Sequence, residues 1–294
     1  MAPRILNEPV RCRFSAFTTT LPPHKELRAA DSVTGVRLTY AAPAARAARI
    51  SSREIGADPI QNYRTPVRAI IIANHADADG GVVADRFGEL GWDFSLWSRE
   101  DADNWSDLPD DVGLVVPLGS DWSVYWEDIA AFVAGEARIL GMAHRRGTPI
   151  FGICFGGQML AHALGGRVER AAAPEIGWFA VAADPENTSV FAENPWFQWH
   201  YDRFTPPPGA RELASGSQGC QAFVLGSSLG VQFHPEITPA IVERWSSGAG
   251  AEELARVGRD PSALVSDTNS HAHVSARAAR RLVDWFVEHC MTPR

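Results

Sequence analysis

Residues 152–158 read Gly-Ile-Cys-Phe-Gly-Gly-Gln, and no other stretch constrains this chain as much. An apolar run, Thr148-Pro149-Ile150-Phe151, precedes them, and a helix-patterned segment, Met159-Leu160-Ala161-His162-Ala163-Leu164, follows. A buried strand, one cysteine among small residues and then a helix describe a nucleophile elbow. Glycines belong there because the chain turns sharply without a Cβ clash and because substrate must approach the backbone closely. A cysteine at the top of the elbow sits at a helix N-terminus, where free N–H groups and the helix dipole favour the thiolate. The same N–H groups can stabilise an oxyanion. The pattern implies thiol acyl-transfer chemistry.

Such a cysteine needs a base, and the base needs a group to orient it. Gly230-Val231-Gln232-Phe233-His234-Pro235-Glu236 offers both. A strand over 230–233 is expected to end at His234, which Pro235 keeps out of the helical region. Glu236, two residues on, is close enough to hold a ring nitrogen. Cys154, His234 and Glu236 then form a candidate catalytic triad, an arrangement that recurs on unrelated folds.

Together, GICFGGQ and QFHPE resemble the class I (triad-type) glutamine amidotransferases. Three further segments fit that family in the same order: Pro117-Leu118-Gly119-Ser120, Glu175-Ile176-Gly177-Trp178 and Trp199-His200-Tyr201-Asp202. The resemblance spans roughly residues 67–245 and is closest to the stand-alone, GMP-synthase-like branch. It implies a glutaminase-like reaction in which Cys154 attacks the γ-carboxamide of glutamine and His234 protonates the departing ammonia. His234 then activates water against the γ-glutamyl thioester, while Glu236 sets the imidazole tautomer. The oxyanion hole falls to backbone N–H groups of Phe155 and of the Gly119-Ser120 turn. Gln158 and Asp202 map to substrate-binding positions, Asp202 on the α-ammonium, with Trp199, His200 and Tyr201 beside them. No metal or cofactor is implied. Many members carry Gly-Gly in the oxyanion turn. Here Ser120 follows Gly119, which restricts a peptide flip and raises the question of whether the hole is preformed or gated by a partner.

The sequence contains no Gly-rich P-loop and no Ser-Gly-Gly segment of the ATP-pyrophosphatase type. The segment after QFHPE is too short for an ATP-dependent ligase. The expected partner is therefore an ammonia-acceptor synthetase subunit in trans. Two alternatives stand beside this reading. One is a hydrolase or transpeptidase of other γ-glutamyl amides or peptides, with a more open pocket lined by the Trp/Tyr-rich loops 122–126 and 199–201. The other is a non-catalytic regulatory module.

The 294 residues, 45% of them apolar, suffice for an α/β domain with a sizeable core plus extensions. A net charge of −8 argues against a nucleic-acid binder. The cysteines Cys12, Cys154, Cys220 and Cys290 lack disulfide or metal spacing, which points to a reducing, cytoplasmic setting. No apolar window reaches the ~18 residues of a membrane span. Charge is uneven: residues 1–66 hold ten basic and five acidic side chains, and the rest 17 and 30. This leader has no period and no apolar core of the kind a secretory signal needs. It reads as a disordered or non-essential extension, with Val67 as a candidate true start through a GTG codon.

From Val67 the expected order is a strand at 69–73, a helix at 81–90, strands at 92–97 and 112–118, a helix at 130–146 and a strand at 149–153. Arg145-Arg146-Gly147 is a C-terminal signal for that second helix. The alternation predicts a doubly wound, mostly parallel, flavodoxin-like α/β sheet with the site at the strands' C-terminal edges. Antiparallel additions are expected in the second half, with strands at 178–182, 197–200, 221–225 and 230–233. A short helix at 242–245, a Ser/Gly break at 246–250 and an amphipathic helix at 276–289 complete a C-terminal helical extension over 246–294. Trp92, Trp97, Trp122, Trp126 and Trp178 read as core or rim packing, and His75, His144 and His162 as ordinary histidines.

Overall fold

The continuous apolar run after Val67 forms the centre of a sheet covered on both faces. In the computed structural model, which describes residues 67–291, strand β1 (Val67–Ala73) sends Ile70 and Ile72 into one hydrophobic cluster and Ala69, Ile71 and Ala73 into another. Successive strand side chains point to opposite faces, so a strand buried on both sides must be apolar throughout. The leader, residues 1–66, lies outside the described residues, and with it the expectation that it is a dispensable extension.

Helix α1 (Gly81–Glu89), β2 (Trp92–Ser98), β3 (Val112–Pro117), α2 (Ala130–Arg146), β4 (Ile150–Ile153) and α3 (Phe155–Ala163) follow. Strand β5 (Arg167–Phe179), β6 (Ala182–Ala183), a single turn α4 (Thr188–Phe191), β7 (Trp196–Thr205), β8 (Arg211–Gly216), β9 (Gly219–Leu225) and β10 (Ser228–Val231) make up the second half. Helices α5 (Pro239–Trp245), α6 (Ala249–Arg256) and α7 (Pro261–Phe286) end the described chain, the last running on into a π turn at Val287–Met291.

The main sheet has eight strands in the order β2-β1-β3-β4-β10-β9-β8-β6. The first five are parallel and the last three antiparallel. Strands β5 and β7 pair antiparallel in a separate two-stranded sheet. Helices α2 and α3 cover one face of the main sheet, and α1 and α7 the other. A third cluster joins β5 and β7 to α5, α6 and the start of α7 through Ile176, Phe197, Ile241, Leu254 and Leu264.

The boundaries of α2 are those expected, and Gly147 closes it in the left-handed conformation at φ 73°. Elsewhere the structure corrects the sequence reading. Strand β5 begins 11 residues earlier than the expected 178, because its outer half pairs only with β7 and its largely exposed faces carry no apolar alternation. Strand β10 ends at Val231, so Gln232 and Phe233 form a bend that carries His234 away from the sheet. Residues 199–201, expected also as a loop, lie within β7. The break at 246–250 is short, since α6 starts at Ala249. Helix α7 begins at Pro261, where the Asp260 carboxylate accepts from the Ser262 and Ala263 N–H groups.

None of the described helices is long and apolar enough to cross a membrane; α7 has the length, but Ser, Asp, Asn and His fill its first half.

Candidate active site

Cys154 is the one non-glycine described residue with positive φ, at φ 51° and ψ −109°. It caps α3 directly after β4, and such strain persists only where surrounding structure enforces it. The enforcement is visible in the backbone. The Cys154 N–H donates to Val231 O at 2.9 Å, and the Gly156 N–H donates to Leu118 O at 3.0 Å. Helix α3 thus presses against β3 and β10. A Cβ on Gly156 would lie 2.0 Å from Pro117 O, which explains the glycine after the elbow.

The bend after β10 brings His234 to Cys154. The two side chains hydrogen-bond, and on the other side His234 Nδ1 donates to Glu236 Oε1 at 2.7 Å. Cys154, His234 and Glu236 are each no more than 3% exposed. Burial alone would depress the His234 pKa, but the charges of Cys154 and Glu236 outweigh it and hold the imidazole well above its ordinary value. The other two described cysteines are also buried, and burial pushes the Cys220 thiol strongly upward.

Two groups support the acid and the nucleophile without any local sequence signal. The Val82 N–H at the start of α1 donates to Glu236 O at 3.1 Å. A Cβ on Gly81 would stand 1.9 Å from that oxygen, so only glycine lets α1 come this close. Gln232 Nε2 lies 3.7 Å from Cys154 Sγ as a donor, while Gln232 Oε1 accepts from Gln158 Nε2 at 3.3 Å.

The residues expected to bind substrate fall into two groups. Asp202 faces the cleft floor, where its carboxylate accepts from Ser123 Oγ at 2.5 Å and Tyr125 Oη at 2.8 Å, with Arg170 Nη1 at 3.7 Å. Burial, and then the bond to Asp202, raise the Tyr125 pKa. Trp199 and Tyr201 line the same cleft, and Arg170 stacks over Tyr201 at 4.4 Å. His200 and Gln158 border the cleft but spend their polar atoms inward. His200 Nδ1 faces Asp202 O at 3.0 Å, and Nε2 faces Gln198 Oε1 at 3.0 Å and Glu175 Oε2 at 3.2 Å. Burial works against the Glu175 carboxylate, yet bonds from His200, Ser217 and Gln221 hold its pKa below the ordinary value. Gln158 Nε2 donates to Asp202 O at 3.4 Å. Both side chains therefore brace β7 at Asp202.

Phe155 opens α3, where an N–H has no partner within the helix. Gly119 and Ser120 follow β3 and border the triad: a Cβ on Gly119 would lie 3.0 Å from His234 Cε1 and 3.7 Å from Cys154 Cβ. The cleft measures about 1100 Å³ and also takes in Trp122, Trp126, Trp245 and Glu253. Trp245, which the sequence did not single out, lies 5.0 Å from the His234 ring and donates Nε1 to Asp77 Oδ2 at 2.7 Å. Trp122 and Trp126 are cleft-lining, while Trp92, Trp97 and Trp178 pack away from it against Phe87, Trp105 and Phe197.

Comparison with known proteins places this geometry. Residues 126–242 match the family model described as Glutamine amidotransferase class-I. A GMP synthase [glutamine-hydrolyzing] of Aeropyrum pernix is 28% identical over 210 residues, covering 67% of this chain and 39% of that protein. One separate subunit of a GMP synthase [glutamine-hydrolyzing], from Saccharolobus solfataricus, is 38% identical over 97 residues, covering 31% of this chain and 52% of that protein. The chain thus spans between two fifths and about half the length of these curated relatives. The crystal structure of a glutamine amidotransferase from Thermotoga maritima superposes with a TM-score of 0.69 at 30% identity, covering 76% of this chain and 100% of that one. With that structure matched over its whole length, and with the elbow and the family model in register, the chain belongs to the class I glutamine amidotransferases.

Proposed function

We propose that this chain hydrolyses the γ-amide of glutamine through a Cys154 thioester and delivers the ammonia to a separate acceptor enzyme. The observation that carries the reading is the strained Cys154 bonded to His234, itself held by Glu236 at 2.7 Å. The Cys154 thiolate attacks the γ-carbon, and the carbonyl electron pair moves onto oxygen, facing the Phe155 and Ser120 N–H groups. As the pair returns, the C–N bond breaks and His234 gives its proton to the leaving nitrogen. Water, deprotonated by His234, then adds to the thioester, and glutamate and the thiolate separate. The raised His234 pKa suits it to be the acid of the first half. Asp202 is the candidate anchor for the substrate α-ammonium, and Arg170 lies within reach of the carboxylate end.

The names of the curated relatives, glutamine-hydrolysing GMP synthases of which one is a separate subunit, support a synthetase partner in trans. The cleft supports a second reading. Its about 1100 Å³ exceeds the ~300–1,000 Å³ that enclose drug-sized ligands, and four tryptophans line it. A γ-glutamyl amide or peptide hydrolase, or a transpeptidase, would use that extra space for its leaving group.

The test is release of ammonia and glutamate from glutamine by the purified protein, beside a panel of γ-glutamyl amides and dipeptides, with Cys154→Ala as control. Cys154-dependent release from glutamine supports the first reading, and turnover of the larger amides alone replaces it with the second. Silence on every substrate, together with no labelling of Cys154 by a glutamine-analogue electrophile, refutes both.

A further inference from the structure

Arg99 is 1% exposed and lies beneath the site rather than in it. It leaves the end of β2 on a short 3₁₀ turn, Arg99–Asn104, and pairs with the fully buried Glu136 of α2. Arg99 Nε donates to Glu136 Oε2 at 2.7 Å, and Nη2 to Oε1 at 3.4 Å. Its remaining donors converge on the turn after β3. Nη2 donates to Leu118 O at 3.0 Å and to Ile72 O at 3.4 Å; Nη1 donates to Gly119 O at 3.3 Å and to Asn74 Oδ1 at 2.7 Å. The guanidinium carbon also sits 4.8 Å from the centroid of the Phe155 ring. One side chain thus touches both segments whose backbone borders the Cys154 reaction centre.

A buried ion pair is costly to desolvate and is weak evidence for stability alone. Its geometry here has a specific consequence. In a trans peptide the C=O and the following N–H point in opposite directions. Holding Gly119 O down toward Arg99 turns the Ser120 N–H the other way, to the cleft that Gly119 and Ser120 line. Rotating that peptide would place Gly119 O in the cleft and strip the guanidinium of an acceptor. Leu118 O is shared between Arg99 and the Gly156 N–H, so the same anchor also ties the turn to the first turn of α3.

We propose that Arg99, backed by Glu136, is a positioning residue that locks the Gly119–Ser120 peptide with its N–H toward the cleft, so that the oxyanion hole stands formed in the free chain. The inference rests on the amidohydrolase reading above. Arg99 touches no reacting atom; it acts on the developing oxyanion only through the peptide it holds.

The experiment uses the full chain and two variants. Arg99→Met combined with Glu136→Leu removes both charges, leaving neither partner buried alone. Arg99→Lys keeps a charge for Glu136 but loses the planar fork, and it carries the test if the double variant does not fold. Circular dichroism and thermal melting establish folding. For each, kcat and KM are measured on the γ-glutamyl substrate that the parent turns over, beside the rate of Cys154 alkylation by iodoacetamide. Alkylation needs the thiolate but develops no oxyanion. The expected result is a kcat lower by about 10²–10³-fold, as for loss of one oxyanion donor. KM should stay within about threefold and alkylation should be unchanged, since neither draws on the oxyanion donors. A folded variant with parental kcat overturns the proposal. So does an alkylation rate that falls in step with kcat, which means general disorder of the site. A parent that turns over no γ-glutamyl substrate refutes the amidohydrolase reading itself, and the hole loses its purpose with it.

Discussion

Replacing Glu236 by Gln keeps the shape of the triad and removes one charge, and its effect can be worked out from the structure. Glu236 Oε1 lies 2.7 Å from His234 Nδ1 with both residues buried. Opposite unit charges ~4 Å apart attract by about 4 kcal/mol at an effective dielectric of ~20, equivalent to about three decades in rate. Part of that attraction already exists in the resting pair, so the expected loss in kcat is about 10²–10³-fold. A stability cost accompanies it. Glu236 Oε2 has no hydrogen-bond partner among the described residues, so the amide nitrogen that replaces it is a buried donor without an acceptor, at about 1–3 kcal/mol. The pH dependence has a definite sign. His234 is held above its ordinary pKa, against burial, by Cys154 and Glu236. The stability contributed by its charged form is complete below the unfolded value of about 6.5 and fades as pH rises through the raised folded value. The variant should therefore be most destabilised near pH 5–6.5, converge on the parent in alkaline solution, and show the basic limb of its kcat profile at lower pH. Steady-state glutaminase assays across pH, paired with urea unfolding at pH 6 and pH 9, read both effects. A variant with kcat within about fivefold of the parent and an unmoved basic limb refutes the assignment of Glu236 as the group that sustains the His234 charge.

Three further outcomes are expected. Asp202→Asn should raise KM for the γ-glutamyl substrate about 10–100-fold with little change in kcat, as for loss of a charge-assisted bond of about 1.5–3 kcal/mol; an unchanged KM removes Asp202 from substrate binding. Gly156→Ala places a methyl group 2.0 Å from Pro117 O and should lower unfolding free energy by about 1–3 kcal/mol or prevent folding, whereas an unaltered melting temperature would mean that the contact between α3 and β3 is loose. Brief iodoacetamide treatment of the native protein at neutral pH, followed by peptide mass analysis, should modify Cys154 and leave Cys220 intact, because burial pushes the Cys220 thiol upward; modification of Cys220 at a comparable rate contradicts this.

The parts of this molecule legible in sequence are those whose physics is local. The elbow announces itself because a strained cysteine needs small neighbours, and α2 because apolar spacing ends in Arg145-Arg146-Gly147. Strand β8 and the outer half of β5 are not legible, since they sit away from the core and carry the polar residues of exposed surface. The first half of α7 escapes notice because Ser, Thr, Asn and His fill the turns after its Asp260 cap. At the site, Cys154, His234 and Glu236 lie in two short segments, while their supports are distributed. Arg99 belongs to a charged stretch, Arg99-Glu100-Asp101, that reads as a solvated face, and its partner Glu136 is 37 residues away. Pairing over such a separation leaves no local pattern. The contact between Gly81 and the Glu236 carbonyl is silent for the same reason.

Helix α7 reaches the nucleophile through aromatic rings. Phe286 packs edge-on against Phe151 at 5.1 Å and Phe87 at 6.1 Å, and Phe151 stands three residues before Cys154 on β4. Deleting the tail would open a greasy wound beneath the strand that presents the thiol. In amide hydrogen exchange, the end of α7 and strand β4 should accordingly open together as one cooperative unit, with α6 exchanging separately and sooner. A protease that nicked the chain before α7 would then silence the enzyme without touching a single residue of its cleft.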